Sequence, residues 1–341
     1  MAYYEFLNFF IFHENNCRNC QNPIEKQLIF WYAIMERWDR MKRIKIISNP
    51  SSGSQTHARD LTKLINYLIE DNFVVQLFKT KGKNDAYNEA LNTSSDDWDL
   101  IVISGGDGTV NEVVHGICDS ESDIPITIYS TGTVNDFATY LNLPTTPYKL
   151  YRMIKTGKII KSDIGKISNE DSHRYFINVF AVGNIASVSY VTDKAQKAIF
   201  GRLAYIVEGL KELPNTLNQP MELKIKTKDD YIEIKSPLMI ISNSNTVGGF
   251  ENICPNAKID DQKLDVLIIK HSRLKEVAQI LIDAFSSKHI YSEDVLYFQT
   301  DTLTIESNQT VPGDVDGEYG GNLPVKVEIN NKPINILVRS D

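Results

Sequence analysis

The stretch Val102–Val114, VISGGDGTVNEVV, decides how this chain is read. An apolar run stops at Ser104, three glycines surround one carboxylate, and a helix-like pattern starts at once. Upstream, DLIVIS (Asp99–Ser104) is apolar throughout, as a strand covered on both faces should be. The same rhythm extends outward. RIKIIS (Arg43–Ser48) reads as a first strand, NPSSG as a turn, and HARDLTKLINYLIED as a helix. Its Leu61, Leu64, Ile65, Leu68 and Ile69 follow i, i+3, i+4 spacing, which predicts one apolar face. FVVQLFK (Phe73–Lys79) and IPITIYS (Ile124–Ser130) supply two further strands. This alternation predicts a parallel sheet with helices on both sides, a three-layer α/β domain.

After about Ile167 the period changes. RYFINVFAV, MELKIKT, YIEIKS, LMIISN, LDVLIIK, LTIES, VKVEIN and INILVR read as strands with few helices between them. KIKTKDDYIEIK is a hairpin with a polar turn at Lys228–Asp230. Helices are expected around Arg202–Leu213 and Arg273–Phe285. The second half is therefore expected to be an antiparallel β-sandwich. At about 150 residues per domain, 341 residues suit two domains.

In open α/β sheets, ligands bind outside the carboxyl ends of the strands. Three turns sit there: NPSSG (Asn49–Gly53), GGDGT (Gly105–Thr109) and TGTVND (Thr131–Asp136). Each alone is compatible with an ordinary turn. Together their hydroxyls and backbone N–H groups make a phosphate site. Neither the G-x-x-x-x-G-K-[ST] loop nor a G-x-G-x-x-G fingerprint after the first strand is present, and no lysine is embedded in the turns. An acidic phosphate site implies a cation between carboxylate and phosphate, with Asp107, Asp136 and Asp163 as candidates.

The ordered set NPSSG, GGDGTVNEVV, GTVNDFA and DIGK resembles the diacylglycerol kinase catalytic-domain family, especially its soluble bacterial lipid kinases. NVFAVG, NSNTVGGFENICPNAKIDD and DVDGEYGG continue the resemblance, which covers Met41 to the end. It implies transfer of the ATP γ-phosphoryl group to the hydroxyl of diacylglycerol, giving phosphatidic acid. By motif, Asn49, Pro50, Ser51, Ser52, Gly53, Thr80, Gly105, Gly106, Asp107, Gly108, Thr109, Val110, Asn111, Glu112 and Thr133 match nucleotide-binding positions. Asp107, Asp136 and Asp163 match an acidic network ordering catalytic Mg²⁺ through water. In GDVDGEYGG (Gly313–Gly321), read as a Gly-framed loop, the resemblance makes Glu318 the general base and Asp316 its support. NAKIDDQKLDV resembles a structural Mg²⁺ site using the Asp261 carboxylate and the carbonyls of Lys258 and Lys263. Gln262 departs from the family's glycine there, and a positive φ would disfavour it.

The resemblance divides the chain into an extension (1–40), a nucleotide-binding domain (41–166) and a β-sandwich acceptor domain (167–328). A last strand in 329–341 is a candidate to return to the first domain. FLNFFIF and LIFWYAIM are far shorter than the ~18–20 residues that span a bilayer. A net charge of −8 argues against a nucleic-acid partner. Four cysteines are too few for a disulfide framework, which suggests a reducing, cytoplasmic setting. The Cys17–Cys20 pair has no second ligand pair of that spacing to complete a zinc site. Contact with a lipid acceptor is expected to be peripheral and reversible, at the inner membrane face. Basic residues in Ser189–Pro214 and in RMIKTGKIIKSDIGK are candidates for it. A homodimer is plausible. Two other readings stay open: a kinase of a soluble nucleotide such as NAD, and a non-catalytic nucleotide- or lipid-binding protein.

Overall fold

Two apolar runs, β1 (Arg43–Ser48) and β3 (Leu100–Gly105), pair in parallel at the centre of one sheet of the computed structural model. Their side chains are buried almost without exception, because helices cover both faces. The structure describes residues 43–52, 55–130, 135–170, 172–183, 220–247, 252–270, 276, 279–280, 283–284 and 286–340. The expected extension (1–40) and the expected helix at Arg202–Leu213 lie outside these residues, as does most of the one at Arg273–Phe285.

β2 (Val74–Lys79) forms one edge of this sheet and β4 (Ile126–Ser130) continues it beyond β3. Two further strands complete it: β5 (Lys158–Ser162) and β18 (Ile334–Val338), in the order β2-β1-β3-β4-β18-β5. The C-terminal strand thus enters between β4 and β5, parallel to the former and antiparallel to the latter. The helices are α1 (Gln55–Glu70), α2 (Asp85–Leu91), α3 (Asp107–Asp119), α4 (Asp136–Tyr140) and α5 (Pro147–Thr156). In α1, Leu61, Leu64 and Leu68 are buried, but Ile69 is 57% exposed. At 100° per residue Ile69 stands about 140° from Leu64, outside the stripe those leucines share.

The second half is a sandwich of two six-stranded antiparallel sheets. One has the order β10-β9-β14-β17-β6-β7 and the other β13-β12-β11-β8-β15-β16. In the first, β9 (Met221–Lys226) and β10 (Tyr231–Ser236) make the hairpin. β14 (Thr302–Ser307), β17 (Val325–Ile329), β6 (Gly165–Ser168) and β7 (His173–Phe176) complete that sheet. The second holds β8 (Val179–Gly183), β11 (Leu238–Ser242), β12 (Leu264–Ile269), β13 (Val295–Thr300), β15 (Pro312–Val315) and β16 (Glu318–Asn322). Leu223, Ile225, Ile305 and Val327 from one sheet interlock with Phe180, Ile241, Val266 and Val315 from the other. A second cluster, with Ile240, Leu267 and Ile269, covers the outer face of the second sheet, so β12 is buried on both sides.

RYFINVFAV is two strands. The chain leaves the first sheet after Phe176 and enters the second at Val179. The Ile177–Asn178 step between them releases backbone N–H groups from any ladder, and the site uses them.

Candidate active site

β3 ends at Gly105, and Gly106 caps α3 with extended backbone (φ −91°, ψ −175°). None of the three loop glycines has a positive φ. Space, and not left-handed backbone, is what they supply. A Cβ on Gly105 would meet the Thr109 side chain at 2.6 Å, and one on Gly108 would stand 3.0 Å from Glu318 Oε1. Gly108 already lies inside α3, so its absent side chain leaves room for a carboxylate from the other half of the chain. Thr109 is buried, and its Oγ1 accepts from Asn49 Nδ2 at 3.2 Å. Asn49 Oδ1 in turn accepts from Ser51 N–H at 2.9 Å, ordering the short 3₁₀ turn Pro50–Ser52 beside the loop. Thr80 is buried, its N–H bonded to the Ser48 carbonyl, at the end of the neighbouring strand β2. Val110 points into the core.

Asp107 opens α3 and Asp136 opens α4. Burial pushes the Asp107 carboxyl up to about 8, with the Asp136 and Asp316 carboxylates adding to the effect. Asp316 sits at φ +49° in the β15–β16 turn. It accepts from the N–H groups of Ile177 (2.9 Å), Asn178 (3.1 Å) and Val179 (2.8 Å), and from Asn111 Nδ2 (2.9 Å). Burial raises its carboxyl to about 6, less than it otherwise would because these donors favour the anion. Asn111 also donates to the Tyr175 carbonyl at 2.9 Å. One buried amide thereby ties α3 to the sandwich. Asp316 is thus a positioning group for the turn that presents Glu318. Residues 313–321, read from sequence as a loop, form a hairpin because β15 pairs with β8, which offsets the poor strand propensity of glycine and aspartate.

Glu318 begins β16, and its Oε2 takes a 3.3 Å hydrogen bond from Arg174 Nη2. Arg174 also donates to the Tyr319 carbonyl. Sequence reasoning missed Arg174, since the two partners lie 144 residues apart and one basic residue in a strand carries no local signal. His57 was missed as well. From α1 its Nε2 meets Ser104 Oγ at 2.8 Å, at the foot of the glycine loop, and burial lowers its pKa. An isolated histidine on an amphipathic helix gives no hint of that contact.

Other candidates take different places. The Glu112 carboxylate accepts from the N–H groups of Asn84 (3.0 Å) and Ala86 (3.2 Å), capping α2. Asp163 is buried, and the carboxylates acting on it are Asp261 and Asp260, not Asp107 or Asp136. Burial raises its pKa, opposed by the Gln262 N–H that donates to it at 2.6 Å. Gln262 does adopt a positive φ of 58°. Asp261 Oδ1 accepts from Lys263 N–H at 3.1 Å, and Lys258 lies exposed in the same loop. Gly53 and Thr133 lie outside the described residues, as does the Ser52 side chain.

A nucleotide phosphate with a divalent cation fits the Asp107 corner. Asp107, Asp136 and Asp316 repel one another there. Among the described residues, the buried Asn135 Nδ2 has no partner and nothing lies within 4 Å of the Cβ position of Gly106.

Residues 43–167 match the family model "Diacylglycerol kinase catalytic domain", and residues 178–338 match "YegS C-terminal NAD kinase beta sandwich-like domain". The diacylglycerol kinase of Staphylococcus carnosus (strain TM300) is 34% identical over 283 residues, 83% of this chain and 90% of the relative. That of Staphylococcus epidermidis (strain RP62A) is 33% identical over 300 residues, 88% and 93% of the two. A crystal structure from Bacillus anthracis str. Sterne, provisionally named a diacylglycerol kinase, superposes with a TM-score of 0.74 over 87% of this chain and 95% of that one. At 24% identity the latter speaks for the fold alone.

Proposed function

Because the chain belongs to the diacylglycerol kinase catalytic-domain family, we propose that it transfers the γ-phosphoryl group of ATP to the hydroxyl of diacylglycerol, giving phosphatidic acid. The observation that carries this reading is the meeting of Glu318 with the glycine loop, 3.0 Å from the Cβ position of Gly108. A carboxylate from the sandwich and a phosphate turn from the α/β half then share one cleft, as a base and a donor must.

Glu318 takes the proton of the acceptor hydroxyl while that oxygen attacks the γ-phosphorus, and ADP departs with the electrons of the broken P–O bond. Arg174 holds the Glu318 carboxylate in orientation. Backbone N–H groups at the start of α3 face the phosphates. Asp107 and Asp136 are the residues to hold Mg²⁺, which when bound neutralises phosphate charge. Asp261, with the carbonyls of Lys258 and Lys263, is assigned a structural Mg²⁺, and Asp163 stands beside that loop.

The lipid is met from the membrane surface. No helix among the described residues is long and apolar enough to cross a membrane. Of the two basic stretches, Ser189–Pro214 lies outside the described residues. In the other, Lys155 is already paired with Asp71 at 2.8 Å, and Lys161 lies exposed on β5.

The test is transfer of labelled phosphate from ATP to a panel of lipids in mixed micelles, with NAD as a soluble control. Diacylglycerol is expected to be labelled, and labelling of NAD but no lipid overturns the reading. Glu318→Gln keeps shape and removes the base, so kcat should fall by ~10²–10⁴ with an unchanged circular dichroism spectrum. A variant with full kcat removes Glu318 from the role.

A further inference from the structure

We propose that His115, Asp119 and His173 form a binding site for a divalent transition-metal ion of the zinc class, apart from the Asp107 corner. His115 and Asp119 stand four residues apart on α3 and share one of its faces. His173, the first residue of β7, reaches them from the sandwich. Its Nε2 lies 2.8 Å from Asp119 Oδ1, and His115 Nε2 lies 3.4 Å from Oδ2. The three ligand atoms lie within 4.8 Å of one another. Bonds of about 2.0–2.1 Å in a tetrahedral site place ligand atoms about 3.3 Å apart, so small ring rotations close the set.

The surroundings hold these groups in place. Tyr87 Oη donates to Asp119 Oδ2 at 3.0 Å, and the same carboxylate lies close enough to the Tyr175 hydroxyl to help raise its pKa, behind the larger effect of burial. The His115 ring packs edge-on against Tyr87 and Tyr175 at 5.1 Å each, and His173 against Tyr175 at 5.3 Å. Outer partners of this kind fix ligand orientation and tune affinity. Asp119 is the last residue of α3, at the negative end of the helix dipole, where a cation offsets an unfavourable charge. Of the neighbouring cations, Arg174 is occupied by Glu318 and the Tyr319 carbonyl, and the Lys166 ammonium lies over the Tyr175 ring, 5.6 Å from its centroid.

Two imidazoles with one carboxylate select Zn²⁺, Co²⁺ or Ni²⁺ over Mg²⁺ and Ca²⁺, which prefer all-oxygen sets. The His173 side chain is 42% exposed, which leaves a path for entry and room for a water ligand. A bound ion bridges α3, which starts at Asp107, to β7, one residue before the arginine that orients Glu318.

The test is calorimetric titration of the metal-free full chain with zinc sulfate, in a Cys17→Ser/Cys20→Ser background that removes the other zinc-type pair. One ion per chain is expected at micromolar affinity, undiminished by millimolar magnesium in the same buffer, with a Co²⁺ adduct showing tetrahedral visible bands and no thiolate charge transfer. His115→Gln and His173→Gln should each weaken binding by about 100-fold or more. Circular dichroism of the metal-free variants checks folding. Should His115→Gln unfold, His173→Gln, at an exposed strand end, carries the comparison. Absence of stoichiometric zinc binding, or affinity unchanged in His173→Gln, overturns the proposal.

Discussion

Replacing Asp107 by Asn separates stability from activity at this site. The unfolded chain ionises this aspartate near its ordinary value of 3.8, whereas the folded protein holds the carboxyl at about 8. Between those values the folded state keeps a proton that the unfolded state has released. Stability is therefore greatest below pH 4 in this respect and falls as pH rises towards 8. At about 1.4 kcal/mol per pH unit, the full shift amounts to about 6 kcal/mol as a ceiling. Asp136 and Asp316 share the cluster and relax when Asp107 ionises, so about 2–3 kcal/mol is the expected difference. Asparagine keeps the shape and cannot ionise. In chelator at pH 8, the variant should melt about 5–10 °C above wild type, at about 2–4 °C per kcal/mol for a chain of this size. At pH 5 the gap should shrink, and kinase activity should be lost throughout. Differential scanning calorimetry at both pH values measures this. A gap that is absent at pH 8, or equal at the two pH values, would show that Asp107 ionises without cost and that the carboxylate cluster is wrongly described.

Gly108→Ala should gain up to about 1 kcal/mol in helix propensity, yet its methyl group 3.0 Å from Glu318 Oε1 must displace the base. Unchanged or higher melting temperature with kcat down about 10-fold is expected from paired calorimetry and kinetics. Arg174→Ala should lower kcat by about 10-fold and leave KM for ATP unchanged, because among the described residues the arginine's hydrogen bonds go to Glu318 and the Tyr319 carbonyl. Gln262→Gly should raise stability to urea by about 0.5–1 kcal/mol, since the φ of 58° suits glycine without strain.

The parts that were legible in sequence are those dictated by local pattern. The run before Gly105 announced a doubly covered strand, and two of the strand-end turns do meet, through Asn49 Nδ2 and Thr109 Oγ1. What was hidden depends on partners far away in the chain. The glycines of the loop suggested a backbone approach to phosphate, but the absent side chain of Gly108 leaves room for a carboxylate 210 positions later. The hairpin around Asp316 has weak strand propensity and exists through its pairing with β8. Asp163 looked like a third member of the acidic corner, yet the fold brings it to the Asp260–Asp261 turn. Ile69 obeyed the letter of the helical spacing and still fell outside the stripe, because the face is narrower than five positions.

The strand β18 has a consequence for biosynthesis. It lies between β4 and β5, and the Thr127 hydroxyl is anchored on the Leu337 carbonyl at 3.0 Å. While the chain emerges from the ribosome, the first sheet waits with a gap until β18 has been made, more than 170 residues after β5. An α/β half expressed alone has an open flank at β4, the kind of unpaired ladder that recruits other chains. Closure of the first sheet is in this way tied to synthesis of the sandwich that precedes β18, and a nascent chain cut short of Ile334 lacks the seam that closes it.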